Sequence, residues 1–378
     1  MIYLDHAATT PVHPEVLQAM LPWFQPEHVG NPGSIHTQGF NAFCAIENAR
    51  KQVAKMINAE PSEIFFTSCG TESNNTWMMC LDYRLIVTTK LEHHSVLEPI
   101  EKGFHLCHWQ YARVHQDGSV DLNSLEKILA DNRNTIDAIS IMWVNNELGT
   151  INPMKEIGAL CKKYGVMLHT DAVQAAGHIP IDVKECGIDF LSMSGHKFGA
   201  PLGIGVLYIA NRIKKKPLIL GGGQENGIRG GTQNVPGIVG IGKAAEIACE
   251  QLPNWQEKWT MLRKRFLDKL FTQTEFPIYI NGGEKVTENI ISLTFPDIES
   301  ESLLLMLDKD GICVSAGSAC SASNSGPSHV LTGIGFSDIL AASTVRISMG
   351  VNTTAEEMDI TADAIIKNIK RLNLMYQF

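Results

Sequence analysis

No apolar stretch in this 378-residue chain approaches the roughly 20 residues needed to cross a bilayer. The first residues, Met1-Ile2-Tyr3-Leu4-Asp5, carry neither a basic nor an apolar leader region, so no signal peptide is expected. Long basic blocks are missing as well, and the formal net charge of −9 argues against non-specific nucleic-acid binding. The short run Arg212-Ile213-Lys214-Lys215-Lys216 follows an expected strand and reads as a solvated turn. The nine cysteines are scattered, odd in number, and include no Cys-x-x-Cys pair. That pattern argues against a disulfide framework and against a zinc site, and it fits a reducing compartment. These absences lead to the expectation of a soluble, cytoplasmic chain with no membrane partner, no direct nucleic-acid partner and no stably bound metal.

What is present is an alternation. Between about residues 60 and 210, short apolar runs are separated by amphipathic helical patterns such as Leu122 to Leu129 and Met154 to Tyr164. The runs are Ile64–Phe66, Leu85–Val87, Ala138–Met142, Val166–Leu168, Phe190–Leu191 and Ile204–Ile209. Continuous apolar strands with helices between them imply an α/β fold, a mostly parallel sheet covered on both faces. Ligands on such sheets bind at the carboxyl ends of the strands. A long helical zone from about Val235 to Phe271 follows. Asn289–Phe295, Ile312–Val314 and Val345–Met349 then read as strands of a second, smaller sheet. Thr354-Ala355-Glu356-Glu357 carries a capping-box pattern and opens the last helix. The expected division is a large domain over 13–255 and a small α+β domain formed by 1–12 and 256–378.

Two strand ends carry chemistry. The run from Val166 ends in His169-Thr170-Asp171, and the run from Leu191 ends in Ser194-Gly195-His196-Lys197. A strand-end lysine and a strand-end aspartate suit pyridoxal 5′-phosphate: the amine forms a Schiff base, and the carboxylate pairs with the protonated pyridine nitrogen. Asp171 taken alone equally suits a helix N-cap, Asn145-Asn146 a turn, and His93-His94 a surface pair. Arg346 lies in a strand of alternating pattern and is expected to face away from the core, where an exposed surface arginine is the plain reading. Residues 315–328 are nearly all small, so little there can anchor to a core and mobility is expected. Cys320 is the reactive group of that segment, which suits a nucleophile able to reach into a pocket. Cys44, Cys80, Cys107, Cys161, Cys186, Cys249 and Cys313 read as small buried hydrophobes. Cys69, beside the candidate cofactor site, reads either way. His6, His36 and His169 read as structural or peripheral.

Taken in order, several motifs resemble the cysteine desulfurases, class V enzymes of the fold-type I pyridoxal-phosphate group. They are Leu4-Asp5-His6-Ala7-Ala8-Thr9-Thr10-Pro11, Gly30-Asn31-Pro32, Thr67-Ser68-Cys69-Gly70-Thr71-Glu72-Ser73-Asn74 and Glu92-His93-His94. Val144-Asn145-Asn146-Glu147-Leu148-Gly149, the Asp171/Gln174 pair, Ser194 to Lys197, Gly221–Glu225 and Ser318-Ala319-Cys320-Ser321 extend the likeness over essentially the whole chain. Pro327-Ser328-His329-Val330-Leu331, following the cysteine, resembles the long-loop branch that supplies iron–sulfur assembly and thiolation pathways.

The resemblance implies a homodimer acting on L-cysteine, with Cys320, Lys197 and His93 catalytic. It implies that Gly70, Thr71, Ser194 and His196 hold the cofactor phosphate. Asp171 pairs with the ring nitrogen, His93 stacks on the ring face, and Gln174 and Asn146 lie near the phenolic oxygen. Thr232 reaches the partner subunit's phosphate. Arg346, with Asn31 and Asn146, binds substrate, the guanidinium suiting its carboxylate. The expected reaction gives L-alanine and a persulfide on Cys320, for delivery to a sulfur acceptor such as an iron–sulfur scaffold or a tRNA-thiolating enzyme. A transient iron–sulfur contact through Cys320 stays open. An aminotransferase or lyase, a selenocysteine lyase included, would share Lys197 and Asp171, but a general transaminase has no use for the loop cysteine. A non-catalytic carrier subunit would not need Lys197. Asn226, Gly33 and Gly231 depart from the usual pattern without touching the assigned chemistry.

Overall fold

The computed structural model describes residues 1–82, 85–103, 108–133, 135–316 and 326–376. Cys320, Ser318 to Ser325 around it, and Cys107 lie outside the described residues. The expected alternation appears as strands β2 (Ile64–Thr67), β3 (Leu85–Thr88), β4 (His108–Tyr111), β5 (Ile136–Ser140), β6 (Met167–Asp171), β7 (Phe190–Ser194) and β8 (Gly205–Ile209), after a short β1 (Ile2–Tyr3). They form a seven-stranded sheet in the order β2-β8-β7-β6-β5-β3-β4. Pairing is parallel from β7 to β4, whereas β8 runs antiparallel to both β7 and β2. Strands β2, β5, β7 and β8 are buried along their whole length, as continuous apolar runs covered on both faces require. The helix Met154–Tyr164 stops at Gly165, whose φ of 69° is the left-handed cap conformation that glycine adopts without strain.

A four-stranded antiparallel sheet follows, built from β9 (Tyr279–Asn281), β10 (Ile290–Thr294), β12 (Ser315–Ala316) and β13 (Thr344–Ser348). The stretch Ile312–Val314, expected as one of its strands, does not join it. Instead β11 (Ile312–Cys313) pairs in parallel with β1, matching Ile2 to Ile312 and Tyr3 to Cys313. That pairing buries Leu4 in the apolar cluster of the second sheet, with Trp259, Phe266 and Ile347. It also sends residues 5–9 across the carboxyl ends of the large sheet, where the Ala7 amide donates to Ser348 Oγ at 2.9 Å.

The helix Val235–Gln273 runs unbroken through the boundary expected near residue 255. Its first part, from Val235 to Ile247, packs into the core of the large sheet; from Trp259 to Leu270 it packs into the core of the small one. Trp255 lies against both. Pro253, lacking an amide proton, sits at this changeover. The last helix begins as expected: the Thr354 amide donates to Glu357 Oε2 (2.8 Å) and the Glu357 amide to Thr354 Oγ1 (3.2 Å). Cysteine burial is mixed. Cys80, Cys161 and Cys186 are buried, but Cys44 and Cys249 are exposed and Cys313 is half-buried. The exposed pair sits on outward faces of long helices, where the apolar pattern near each cysteine belongs to neighbouring positions.

Candidate active site

The ends of β6 and β7, the turn after β2 and the segment after β5 surround a cavity of about 230 Å³. Asp171, last residue of β6, is 5% exposed and stands at its wall. One carboxylate oxygen accepts from the Val173 amide (2.9 Å), the other from Asn74 Nδ2 (2.7 Å). Lys197 follows β7 by one turn, and its buried amine donates to the carbonyls of Ala7 and Ala8, each at 2.8 Å. Both carbonyls are delivered by the crossing segment that the β1–β11 pairing fixes.

On one side, Gly70 and Thr71 open the helix Gly70–Thr76 beside Ser194 and His196. A Cβ on Gly70 would come within 2.8 Å of Val173 Cγ2 and 3.4 Å of Ser194 Cβ, so the helix start sits tight against the ends of β6 and β7. His196 contacts Thr9 Oγ1 at 3.1 Å. Burial, with the nearby Lys197 charge, pushes its pKa down to about 4, so the ring is neutral near pH 7. Gln174 donates to the Ala7 carbonyl at 2.8 Å, while its buried Oε1 has no partner among the described residues. His93 lines the opposite side and caps the short helix His94–Glu98.

Arg346 is not the exposed surface arginine of the plain reading. It is 2% exposed and lines the same cavity, because its strand β13 is buried along both faces between the small sheet's core and the cleft. Its guanidinium donates to the Asn146 carbonyl (2.8 Å) and to Asp5 Oδ1 (2.9 Å), leaving Nε buried without a partner among the described residues. Thus Gly70, Thr71, His93, Asn146, Asp171, Gln174, Ser194, His196, Lys197 and Arg346 all line one cavity. Asn31 and Thr232 do not. They line a separate cleft with Phe43, Arg50 and Glu225, and Asn31 Oδ1 accepts from the Gly33 amide at 2.9 Å.

Sequence reasoning assigned no role to Asn74, Ser95 or Asp5, which contact Asp171, His93 and Arg346. Asn74 stands within one of the quoted motifs, but nothing in its spacing marks it as a partner of a residue at the end of a strand. Cys69, left open from the sequence, lines the cavity and is half-buried. No group of three or more His, Cys, Asp or Glu side chains among the described residues is arranged to hold a metal ion.

The donor set fits pyridoxal phosphate. A buried carboxylate, a buried amine just past the end of the next strand, and a pole of helix-start amides with a serine hydroxyl and a neutral histidine share one cavity. The unpaired Gln174 Oε1 and Arg346 Nε are polar groups of the kind that a bound molecule satisfies.

The chain is similar to known proteins over nearly its whole length. Cysteine desulfurase IscS of Dictyoglomus turgidum is 45% identical, covering 98% of this chain and 95% of its own. The enzyme of the same name from Methanosarcina thermophila is 41% identical over 99% and 93%. Among solved structures, a NifS-like protein superposes with a TM-score of 0.89 at 36% identity, over 98% of this chain and 99% of its own. The structure of SspA in complex with cysteine gives 0.81 at 34% identity, over 94% and 100%. The family model for class-V aminotransferases matches residues 2–360. The chain belongs to the aminotransferase class-V family.

Proposed function

We propose that this protein is a pyridoxal-phosphate-dependent cysteine desulfurase, which converts L-cysteine to L-alanine and takes the sulfur onto Cys320. The observation that carries the reading is the convergence of the Lys197 amine, the Asp171 carboxylate and the Arg346 guanidinium on one cavity. The relatives named cysteine desulfurase and the structure of SspA with cysteine support the substrate. Bound through its aldehyde, the cofactor supplies an electron sink next to the substrate Cα. Lys197 moves the proton at that carbon, and Asp171 keeps the ring nitrogen protonated. Gly70, Thr71, Ser194 and His196 hold the phosphate, and His93 is the acid–base group beside the substrate. Arg346 binds the substrate carboxylate. The Cys320 thiolate attacks the substrate sulfur, so a sulfur–sulfur bond forms as the carbon–sulfur bond breaks. Carbon is reduced as sulfur is oxidised, and no outside redox partner is required.

We further propose a homodimer, in which the cleft of Asn31 and Thr232 faces the partner's cavity. Ile35, Phe40, Phe43 and Leu220 are exposed apolar side chains on or near that cleft, a surface that a second copy would cover. A division into a large domain over 13–255 and a small one over 1–12 and 256–378 is consistent with the two largest apolar clusters. The persulfide passes to an acceptor protein, an iron–sulfur scaffold or a tRNA-thiolating enzyme, in the cytoplasm. No helix among the described residues is long and apolar enough to cross a membrane.

Incubation of the cofactor-loaded enzyme with L-cysteine tests the reading. Equal amounts of alanine and transferable sulfur are expected, and alanine without sulfur, or neither product, would overturn it. Arg346→Lys should raise KM for cysteine about ten- to a hundredfold, with a smaller change in kcat, since an ammonium cannot supply the two-pronged carboxylate contact. Steady-state kinetics measures both.

A further inference from the structure

A continuous chain of hydrogen bonds joins two groups of the active site that no assigned role connects. Asn74, 1% exposed, donates through Nδ2 to Asp171 Oδ2 at 2.7 Å and to Ser95 Oγ at 2.9 Å. Turning the amide over would press its oxygen against the carboxylate, so charge fixes this orientation and both N–H protons are used. Ser95 Oγ, receiving one of them, stands 2.7 Å from His93 Nδ1. The backbone amide of Ser95 donates to that same Nδ1 at 3.0 Å. A fixed N–H aimed at a ring nitrogen excludes a proton there, so the serine hydroxyl donates as well.

We propose that Ser95 and Asn74 are positioning residues, which hold His93 neutral with its proton on Nε2 and tie it to Asp171. A histidine so held meets the substrate as a hydrogen-bond donor, and the acid–base role proposed above requires it first to take up a second proton. It gains a second proton only when Nδ1 breaks free of Ser95 and the helix cap opens. The catalytic consequence rests on the desulfurase reading; the protonation form does not.

Charged and titratable groups face His93 from several elements. His94 is beside it on the same turn, with ring centroids 6.4 Å apart, and His329 approaches from the helix His329–Gly333. Glu98 and Lys102 share its outer cleft, while Asp171, Lys197 and Arg346 share the cavity. A Ser95→Ala change alters none of these charges, so a shift in His93 titration reports the lost donor.

The test is nitrogen-15 spectroscopy of histidine-labelled holoenzyme, with His93 assigned by comparison with His93→Gln. In the unsubstituted enzyme near neutral pH, Nε2 should carry the proton and Nδ1 should not. Ser95→Ala should raise the midpoint of His93 protonation by about half to one pH unit, the worth of one hydrogen bond to the neutral form. Ser95→Thr should restore it, which a merely disturbed fold would not allow. Asn74→Leu should move the midpoint the same way by less, as Ser95 loses the donor that polarises it. A proton found on Nδ1, or an unmoved midpoint in Ser95→Ala, overturns the proposal, and an unmoved midpoint in Asn74→Leu removes Asn74 from it. Absence of desulfurase activity alongside the expected spectra would instead sink the functional reading and leave this one standing.

Discussion

Replacing Cys320 by serine is expected to abolish sulfur transfer, by more than about a thousandfold, while the bound cofactor keeps its visible absorption. A thiol is a few per cent ionised at pH 7 and intrinsically very nucleophilic; a hydroxyl is neither. The residues assigned to the cofactor have hydrogen-bond partners elsewhere in the chain. Asp171 is held by Val173 and Asn74, and Lys197 by Ala7 and Ala8. Persulfide formation, measured by release of sulfur to cyanide, should vanish along with alanine production. Cys69 is the control, because it is a second thiol and lines the cavity itself. Cys69→Ser should retain turnover. If Cys320→Ser retained activity and Cys69→Ser lost it, the nucleophile would be the residue at the turn after β2.

The large sheet was legible because its strands are buried on both faces and so appear as apolar runs bounded by polar residues. Strand β4 was not, since His108-Trp109-Gln110-Tyr111 is a partly exposed edge with no apolar run to mark it. The same applies to β9, whose Tyr279 and Ile280 are exposed, and to β12, which has two small residues and no side-chain pattern. The site was legible as a set of strand-end motifs, because strand ends are where such a sheet binds ligands. Their partners were not. The carbonyls that hold Lys197 arrive through a pairing between segments some 300 residues apart, matching Ile2 with Ile312. Two-residue strands carry no periodicity from which to read such a register. The burial of Arg346 was not legible, for a related reason. Period-two alternation separates one face of a strand from the other, but it does not say that both faces are covered, one by the core and one by the cleft.

Lys197 is the residue whose loss should cost most, and its two replacements should differ in stability while agreeing in activity. On the proposed reading, removing the amine takes away both the covalent anchor of the cofactor and the group that moves the Cα proton. The second role alone is worth about 10²–10⁴-fold, so Lys197→Ala should turn over cysteine at least about ten-thousandfold more slowly. It should also strand the carbonyl of Ala8, which accepts from the amine at 2.8 Å, and leave the Ala7 carbonyl with Gln174 as its remaining side-chain donor. An unsatisfied buried carbonyl costs about 1–3 kcal/mol. Water entering the vacated space relieves part of that cost, so a loss nearer the lower end is expected in chemical denaturation. Lys197→Arg keeps a cation and several N–H donors within reach of the same carbonyls, but a guanidinium does not form a stable imine with an aldehyde under these conditions. It should therefore be as inactive as the alanine variant while remaining closer in stability to the parent enzyme. Appreciable turnover by Lys197→Arg would mean that the amine serves only to pin the crossing segment over the strand ends. In that event the chemistry assigned to this cavity would be wrong.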